Sequence, residues 1–206
     1  MLDRPALAAV TLTVNGIDHR VQANPFANLA DTLREGLGLT GTKVGCDAGD
    51  CGACTVLMDG EQACACLVPT GQAEGRAITT IEADDPLVDR LRAAFLAQGA
   101  AQCGICTPGM IMAAADLLTR HPAPTRRDIE DGIGGVLCRC TGYAKIVEAI
   151  ADVARGANAF APVAEAGCAV GTRIARADGQ AKVQGTDRFG ADVAPADALW
   201  LRAVRS

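Results

Sequence analysis

Apolar and polar residues alternate from residue 10 to residue 21. Val10, Leu12 and Val14 lead into Asn15-Gly16, and Ile17 and Val21 follow. A period of two interrupted by Asn-Gly predicts a β-hairpin with a type I′ turn. A short helix is predicted next, capped by Asn28, with Leu29, Leu33 and Leu37 along one face. Residues 40–55 are rich in Gly, Asp and Cys and read as a loop. Strands are predicted over residues 55–58, 63–68 and 77–81, the first two joined by Asp59-Gly60, so that a small sheet wraps one helix. Beyond Asp84 the period changes to 3.6. Leu87, Val88, Leu91, Phe95 and Leu96 mark a helix over residues 86–98 that opens on Pro86. Thr107-Pro108 opens another, which His121-Pro122 closes, and Thr125 with Asp128 makes a capping-box start for a third. The last helix is expected from Thr141 to about Arg155. The chain therefore reads as α+β, with a sheet domain over residues 1–84 and an all-α four-helix domain over 85–156.

Residues 157–169 are Ala-rich, contain Pro162 and show no period, which is the signature of a linker. Residues 170–206 carry few large apolar side chains. Ordering them alone would work against a conformational entropy of roughly 1–2 kcal/mol per residue. This tail is expected to pack on a partner, with Leu199, Trp200, Leu201 and Val204 as anchors.

Half of the 206 residues are hydrophobic but only 3% are aromatic, so the core is expected to be mostly Ala, Leu, Val and Ile. A net charge of −5 argues against nucleic acid or an anionic membrane as a main partner. No apolar run is long enough to span a bilayer. The opening Met1-Leu-Asp-Arg-Pro lacks the segments of a secretory signal, and a cytoplasmic location is expected. Ten cysteines in such a chain point to metal rather than to disulfides.

Eight of the ten fall into two groups. Cys46, Cys51 and Cys54 follow a C-x4-C-x2-C spacing with Cys66 beyond, which is the spacing of plant-type 2Fe–2S ferredoxins. Gly45, Gly49 and Gly52 remove side chains, so backbone N–H groups can approach an anionic cluster. Cys103-x2-Cys106 and Cys138-x-Cys140 form the second group, each half just before a predicted helix. Two helix N-termini would then face one anionic cluster. Zinc is the rival for this second group on spacing alone, but two clusters in series make an electron relay and one zinc beside one cluster does not. Cys64 reads as a small packed side chain, although a ligand swap with Cys66 is conceivable, and Cys168 as inert. His19 and His121 have no partners at ligand spacing. Asp47 and Asp50 read as solvated loop carboxylates, and no nucleophile triad or phosphate loop is present.

Three runs carry a resemblance. Gly38-Leu-Thr-Gly-Thr-Lys-Val-Gly-Cys46-Asp-Ala-Gly-Asp-Cys51-Gly-Ala-Cys54, Ala101-Gln-Cys103-Gly-Ile-Cys106-Thr-Pro-Gly and Leu137-Cys138-Arg-Cys140-Thr-Gly-Tyr closely resemble the small subunit of xanthine oxidase-family molybdenum hydroxylases. The resemblance covers roughly residues 10–155. It implies a β-grasp, plant-ferredoxin-like domain followed by a helical domain, each with a 2Fe–2S cluster, the helical-domain cluster lying nearer the molybdenum. It also implies that Gln102 hydrogen-bonds a pyranopterin and that Cys140 bridges cofactor and cluster. Molybdopterin, in its cytosine dinucleotide form, would be held mainly by a large molybdenum-binding subunit, and a flavin or cytochrome subunit could accept the electrons. The tail resembles the opening of that large subunit, joined directly as in aldehyde oxidoreductases. The function implied is electron transfer during oxidation of an aldehyde or N-heteroaromatic substrate, the bond chemistry lying on the partner. A free ferredoxin-like carrier is the alternative, and the tail argues against it.

Overall fold

Asn15 and Gly16 take φ angles of 52° and 78°. The turn they make pairs β1 (Ala8–Val14) with β2 (Ile17–Ala23) from Val14↔Ile17 outward. This is a computed structural model, and it describes residues 7–157, 165–172, 174–195, 197–199, 201 and 203. On its other side β1 runs parallel to β5 (Ala77–Thr79). β5 pairs antiparallel with β3 (Thr55–Met58), and β3 with β4 (Glu61–Cys64). The sheet order is β2-β1-β5-β3-β4. The inward residues Val10, Leu12 and Val14 are buried against Leu29, Leu33, Val56 and Ile78, as a period of two requires.

Leu29 and Leu33 belong to one continuous coil, α1 (Leu29–Asp31) running into a wider π turn over Thr32–Gly36. Asn28 caps it, its Oδ1 accepting from Asp31 N at 2.7 Å. β4 departs from the expected strand over 63–68. The two-residue Asp59-Gly60 turn, with φ of 53° and 87°, lets Glu61 pair at once with Met58. The chain then leaves the sheet in a 3-10 turn, Ala65–Leu67, which carries Cys66. β5 ends at Thr79 because Thr80 N donates to the side chain of Asn15 instead of continuing the ladder.

Four helices follow. α2 (Pro86–Gln98) starts where Asp85 accepts from the N–H groups of Leu87 and Val88 and stops at left-handed Gly99. α3 (Thr107–Arg120) is buried at every position from Thr107 to Leu118, so it is the central helix. α4 (Arg126–Gly132) carries the expected Thr125–Asp128 capping box. α5 (Ala144–Ala154) begins three residues later than expected. Gly142 and Tyr143 both have positive φ, 64° and 66°, which a right-handed helix cannot contain. A second apolar cluster fills the space between these helices, with Leu91, Phe95, Met110, Ile111, Ile133, Ile146 and Ile150 at its centre. Among the described residues Phe95 is its one fully buried aromatic, and methionines of α3 fill volume that aromatics would otherwise take.

The sheet and the helices meet along α3. Gly109 lies so close to the loop before β3 that an added Cβ would sit 2.5 Å from Gly52 O. Gln62 of β4 donates to buried Asp116 of α3 at 2.8 Å.

Part of the tail departs from the expectation that a partner supplies its burial. α6 (Gly179–Gln184) packs on α2 and α3, and Lys182 and Val183 are buried by this chain's own helices. Lys43, only 2% exposed, reaches this segment from the first domain. Its ammonium donates to the carbonyls of Thr40 at 2.7 Å, Asp187 at 3.0 Å and Gly185 at 3.3 Å, and lies 5.0 Å from the Phe189 ring centre. Arg34 pairs with Asp192. Polar anchors of this kind do not register in a count of apolar residues. Val170, Leu199 and Leu201 remain exposed, while Trp200 and Val204 lie outside the described residues. Among the described residues no helix is long and apolar enough to cross a membrane.

Candidate metal centres

The loop from Gly45 to Cys54 is shaped by left-handed residues at Asp47, Gly49 and Gly52. It turns its N–H groups inward, so that Cys46 Sγ accepts from Ala48 N and Cys51 N, each at 3.4 Å. Those bonds, Cys51 first, lower the Cys46 thiol to about 7. A Cβ on Gly45 would stand 3.0 Å from Cys51 Sγ, so glycine there leaves room for the sulfur. Cys54 and Cys66 are buried, and Cys66 N donates to Cys54 Sγ at 3.5 Å. Burial pushes the Cys54 thiol up to about 12. Cys64 is half-buried beside them, its Sγ 4.0 Å from Gly49 O.

The second group comes from two segments far apart in sequence. Cys106 is the N-cap of α3, and its carbonyl accepts from Met110 N at 2.9 Å. Cys138 lies across from it, with its Sγ 3.0 Å from the Thr141 hydroxyl. Burial, then the neighbouring Cys138 and Cys103, pushes the Cys106 thiol up. For Cys138 burial acts upward, but the Thr141 hydroxyl and N–H and the Cys140 N–H outweigh it and hold the thiol down. A hydrogen bond with Cys103 pushes Cys140 up. These mutual influences tie Cys103, Cys106, Cys138 and Cys140 into one set. Only one of the two expected helix N-termini borders it. Because α5 starts at Ala144, Cys138 and Cys140 sit instead in a loop closed by Tyr143, whose hydroxyl accepts from Cys138 N at 2.8 Å and whose N–H donates to Thr141 Oγ1 at 3.1 Å.

All ten cysteines are free of disulfides. Among the described residues no three Cys, His, Asp or Glu side chains close on one point as around a single ion. Each set has two buried cysteines, Cys54 with Cys66 and Cys106 with Cys138, and others at the surface, Cys46 in the first and Cys103 with Cys140 in the second. The two sets touch through the backbone, where Leu137 N donates to Cys51 O at 2.9 Å. Gln102 is exposed next to Cys103, and its carbonyl accepts from Arg176 Nη1 at 3.0 Å. Leu137, Thr141 and Tyr143 stand in the cysteine runs already singled out, but their hydrogen bonds were not readable there. Cys168 is exposed and belongs to neither set, and His121 is exposed near Asp128.

The family model described as 2Fe-2S iron-sulfur cluster binding domain matches residues 12–78, and that described as 2Fe-2S binding domain matches residues 77–151. A probable xanthine dehydrogenase subunit from Bacillus subtilis is 47% identical over 148 residues, 71% of this chain and 86% of that protein. The nicotine 6-hydroxylase small subunit of Paenarthrobacter nicotinovorans is 44% identical over 144 residues, 69% of this chain and 87% of that protein. The chain belongs to the iron–sulfur subunits of the xanthine oxidase family. As such it is the electron-transfer part of an oxidoreductase, with two 2Fe–2S domains in one polypeptide. The solved aldehyde oxidoreductase from Desulfovibrio desulfuricans superposes with a TM-score of 0.85 at 39% identity. It covers 93% of this xanthine oxidase-family subunit, which spans 23% of that longer chain. The relatives from Bacillus and Paenarthrobacter match about seven tenths of the chain, whereas this likeness takes in most of the tail as well.

Proposed function

We propose that Cys46, Cys51, Cys54 and Cys66 hold one 2Fe–2S cluster and that Cys103, Cys106, Cys138 and Cys140 hold a second. The two units would be residues 1–84 and 85–156, followed by the linker 157–169 and the tail 170–206. Each cluster takes up and returns one electron at a time. Buried Cys54, Cys66, Cys106 and Cys138 keep water from the inner side of each site. Exposed Cys46, Cys103 and Cys140 leave an open side for exchange with other centres. The N–H groups of Ala48, Cys51 and Cys66 favour anionic sulfur by hydrogen bonding to it. The observation that carries the reading is the Leu137–Cys51 hydrogen bond of 2.9 Å. It connects the residue before Cys138 to a member of the other set, so two four-thiol sites share one short backbone route.

The face formed by Gln102, Cys103 and Cys140 is the one we assign to a large molybdenum-binding subunit. The exposed Gln102 amide is available there to a pyranopterin, and Cys140 lies against Cys103, the residue next to it. We assign the cytosine dinucleotide form of molybdopterin to that subunit. Substrate oxidation would fall on an aldehyde or N-heteroaromatic carbon, in keeping with relatives named for aldehyde and nicotine. A flavin or cytochrome subunit would accept electrons at the Cys46 side. The apolar Val170, Leu199 and Leu201, exposed on this chain, favour a standing partner over a free carrier.

Metal analysis of the purified chain tests the reading. It should return about four irons and four acid-labile sulfides per chain, two of each per cluster. Reduction should give two distinguishable paramagnetic signals. A single signal, or stoichiometric zinc, would sink it.

A further inference from the structure

The tail crosses the backbone that carries half of the second cysteine set. Arg176 donates to the Gln102 carbonyl at 3.0 Å, one residue before Cys103. Its Nε and Nη2 both bond Asp178, each at 2.8 Å. Lys182, 8% exposed, lays its stem on Gly104, where an added Cβ would sit 3.0 Å from Lys182 Cγ. Its ammonium pairs with Asp187 at 2.6 Å and Asp178 at 3.3 Å. Gly104 stands between Cys103 and Cys106. Two cations and two carboxylates are thus laid along the loop that presents those two thiols.

We propose that this network of Arg176, Asp178, Lys182 and Asp187 sets the reduction potential of the cluster held by Cys103, Cys106, Cys138 and Cys140. The proposal rests on reading that set as a 2Fe–2S holder. A cluster that takes up one electron gains one negative charge, so a nearby cation favours the reduced form and a nearby anion the oxidised form. The four charges balance one another, so removing either sign tilts the site in a defined direction. Asp178 is held down to about 2, chiefly by Arg176, and the carboxylates beside them hold Arg176 and Lys182 above their ordinary values. The Arg176 and Asp178 side chains are 43% and 55% exposed, so solvent weakens each effect without reversing its sign.

A segment that merely straps the loop would behave differently, because loosening it has no sign. The test is a redox titration followed by paramagnetic resonance on the full-length chain, comparing Arg176→Gln, Asp178→Asn, Lys182→Met and the Arg176→Gln/Asp178→Asn double variant. Arg176→Gln and Lys182→Met should lower the potential of the second cluster and Asp178→Asn should raise it. Each should change the reduced-to-oxidised ratio at a fixed potential by about threefold, which is about 30 mV at 59 mV per tenfold for one electron. The double variant should return close to the parent, and the first cluster should not move. Shifts of the same sign in Arg176→Gln and Asp178→Asn, or none in either, would overturn the proposal. A parent chain with only two irons and one signal would overturn the cluster reading beneath it.

Discussion

The two cysteine sets hold the same number of thiols but are built in opposite ways. In the first, Cys46, Cys51 and Cys54 come from one loop whose shape is written into its backbone by left-handed Asp47, Gly49 and Gly52. Only Cys66 arrives from elsewhere, on the turn that ends β4. In the second, Cys106 sits at the start of α3 and Cys138 comes from the loop between α4 and α5, so the set exists only when those helices pack. A local site tolerates change in the rest of the fold, whereas a tertiary site reports on it. Both depend on one contact, where Gly52 meets Gly135 and Cys51 meets Leu137.

That shared contact gives the most drastic way to break the comparison. Gly52 has a φ of +66°, and a Cβ there would lie 2.1 Å from Gly135 O. Gly52→Val should therefore strain the first loop and push the second away together, with a loss of about 4 kcal/mol or more. The variant should be poorly soluble or hold almost no iron. A soluble variant with either paramagnetic signal at parental strength would show that the sites do not share this support.

Single ligand removals should separate the sites again. Cys51→Ser is expected to abolish the first signal and spare the second, because the two apolar clusters are distinct. Cys106→Ser should do the reverse. Iron content should fall to about half in each. If one substitution removes both signals, the sites are not independent units.

The difference in construction also decides what was legible in the sequence. Asn15-Gly16, the Asp59-Gly60 turn, Pro86 and the Thr125–Asp128 box act within a few residues, and each appears where the pattern placed it. The first cysteine loop was readable for the same reason, since spacing and glycines fix it locally. The end of β4 and the start of α5 were misread, because both are set by what the chain must reach. Cys66 has to turn toward Cys54, and Tyr143 has to turn back to Cys138. The docking of residues 176–193 was missed because its anchors are polar and distant: Lys43 on carbonyls, Arg34 on Asp192, and Arg176 on Gln102.

A milder perturbation acts on the seam between the sheet and the helices. Asp116 is 1% exposed and accepts from Gln62 at 2.8 Å and from Arg120 at 2.6 and 2.5 Å. Burial pushes its carboxyl up, but the bonds from Arg120 and Gln62 outweigh that and hold it below the usual range. A lowered carboxyl stabilises the fold above its unfolded value of about 3.9 and loses that contribution as pH falls through the folded value. Asp116→Ala should take the carboxylate partner from Arg120, leave Gln62 only its 3.3 Å bond to the Gly132 carbonyl, and cost about 2 kcal/mol at neutral pH, measured by urea unfolding. The gap to the parent should hold from pH 8 to 5 and shrink below about pH 4. A gap that is flat down to pH 3 would mean that packing, not the charge, carries the seam.

The smallest effect is expected at the fifth cysteine of the first site, and it tests which thiol completes that set. Cys64 closes β4 opposite Thr55, half-buried, with its sulfur 4.0 Å from the Gly49 carbonyl. Desolvation pushes its thiol up, with Cys66, Cys51 and Cys46 adding to the effect. Cys66, two residues on, is buried on the 3-10 turn and sends its N–H to Cys54 Sγ at 3.5 Å. Position thus favours Cys66 as the fourth ligand and leaves Cys64 a weak S–H contact with a loop carbonyl. Cys64→Ser keeps a donor of similar size at that point and should cost less than about 1 kcal/mol, with iron content and both signals unchanged. Cys66→Ser should abolish the first signal. The reverse pattern would make Cys64 the ligand. Retention of the first signal in each single variant, with loss only in the double, would mean that either thiol can serve and that this loop, for all its local definition, leaves its last ligand open.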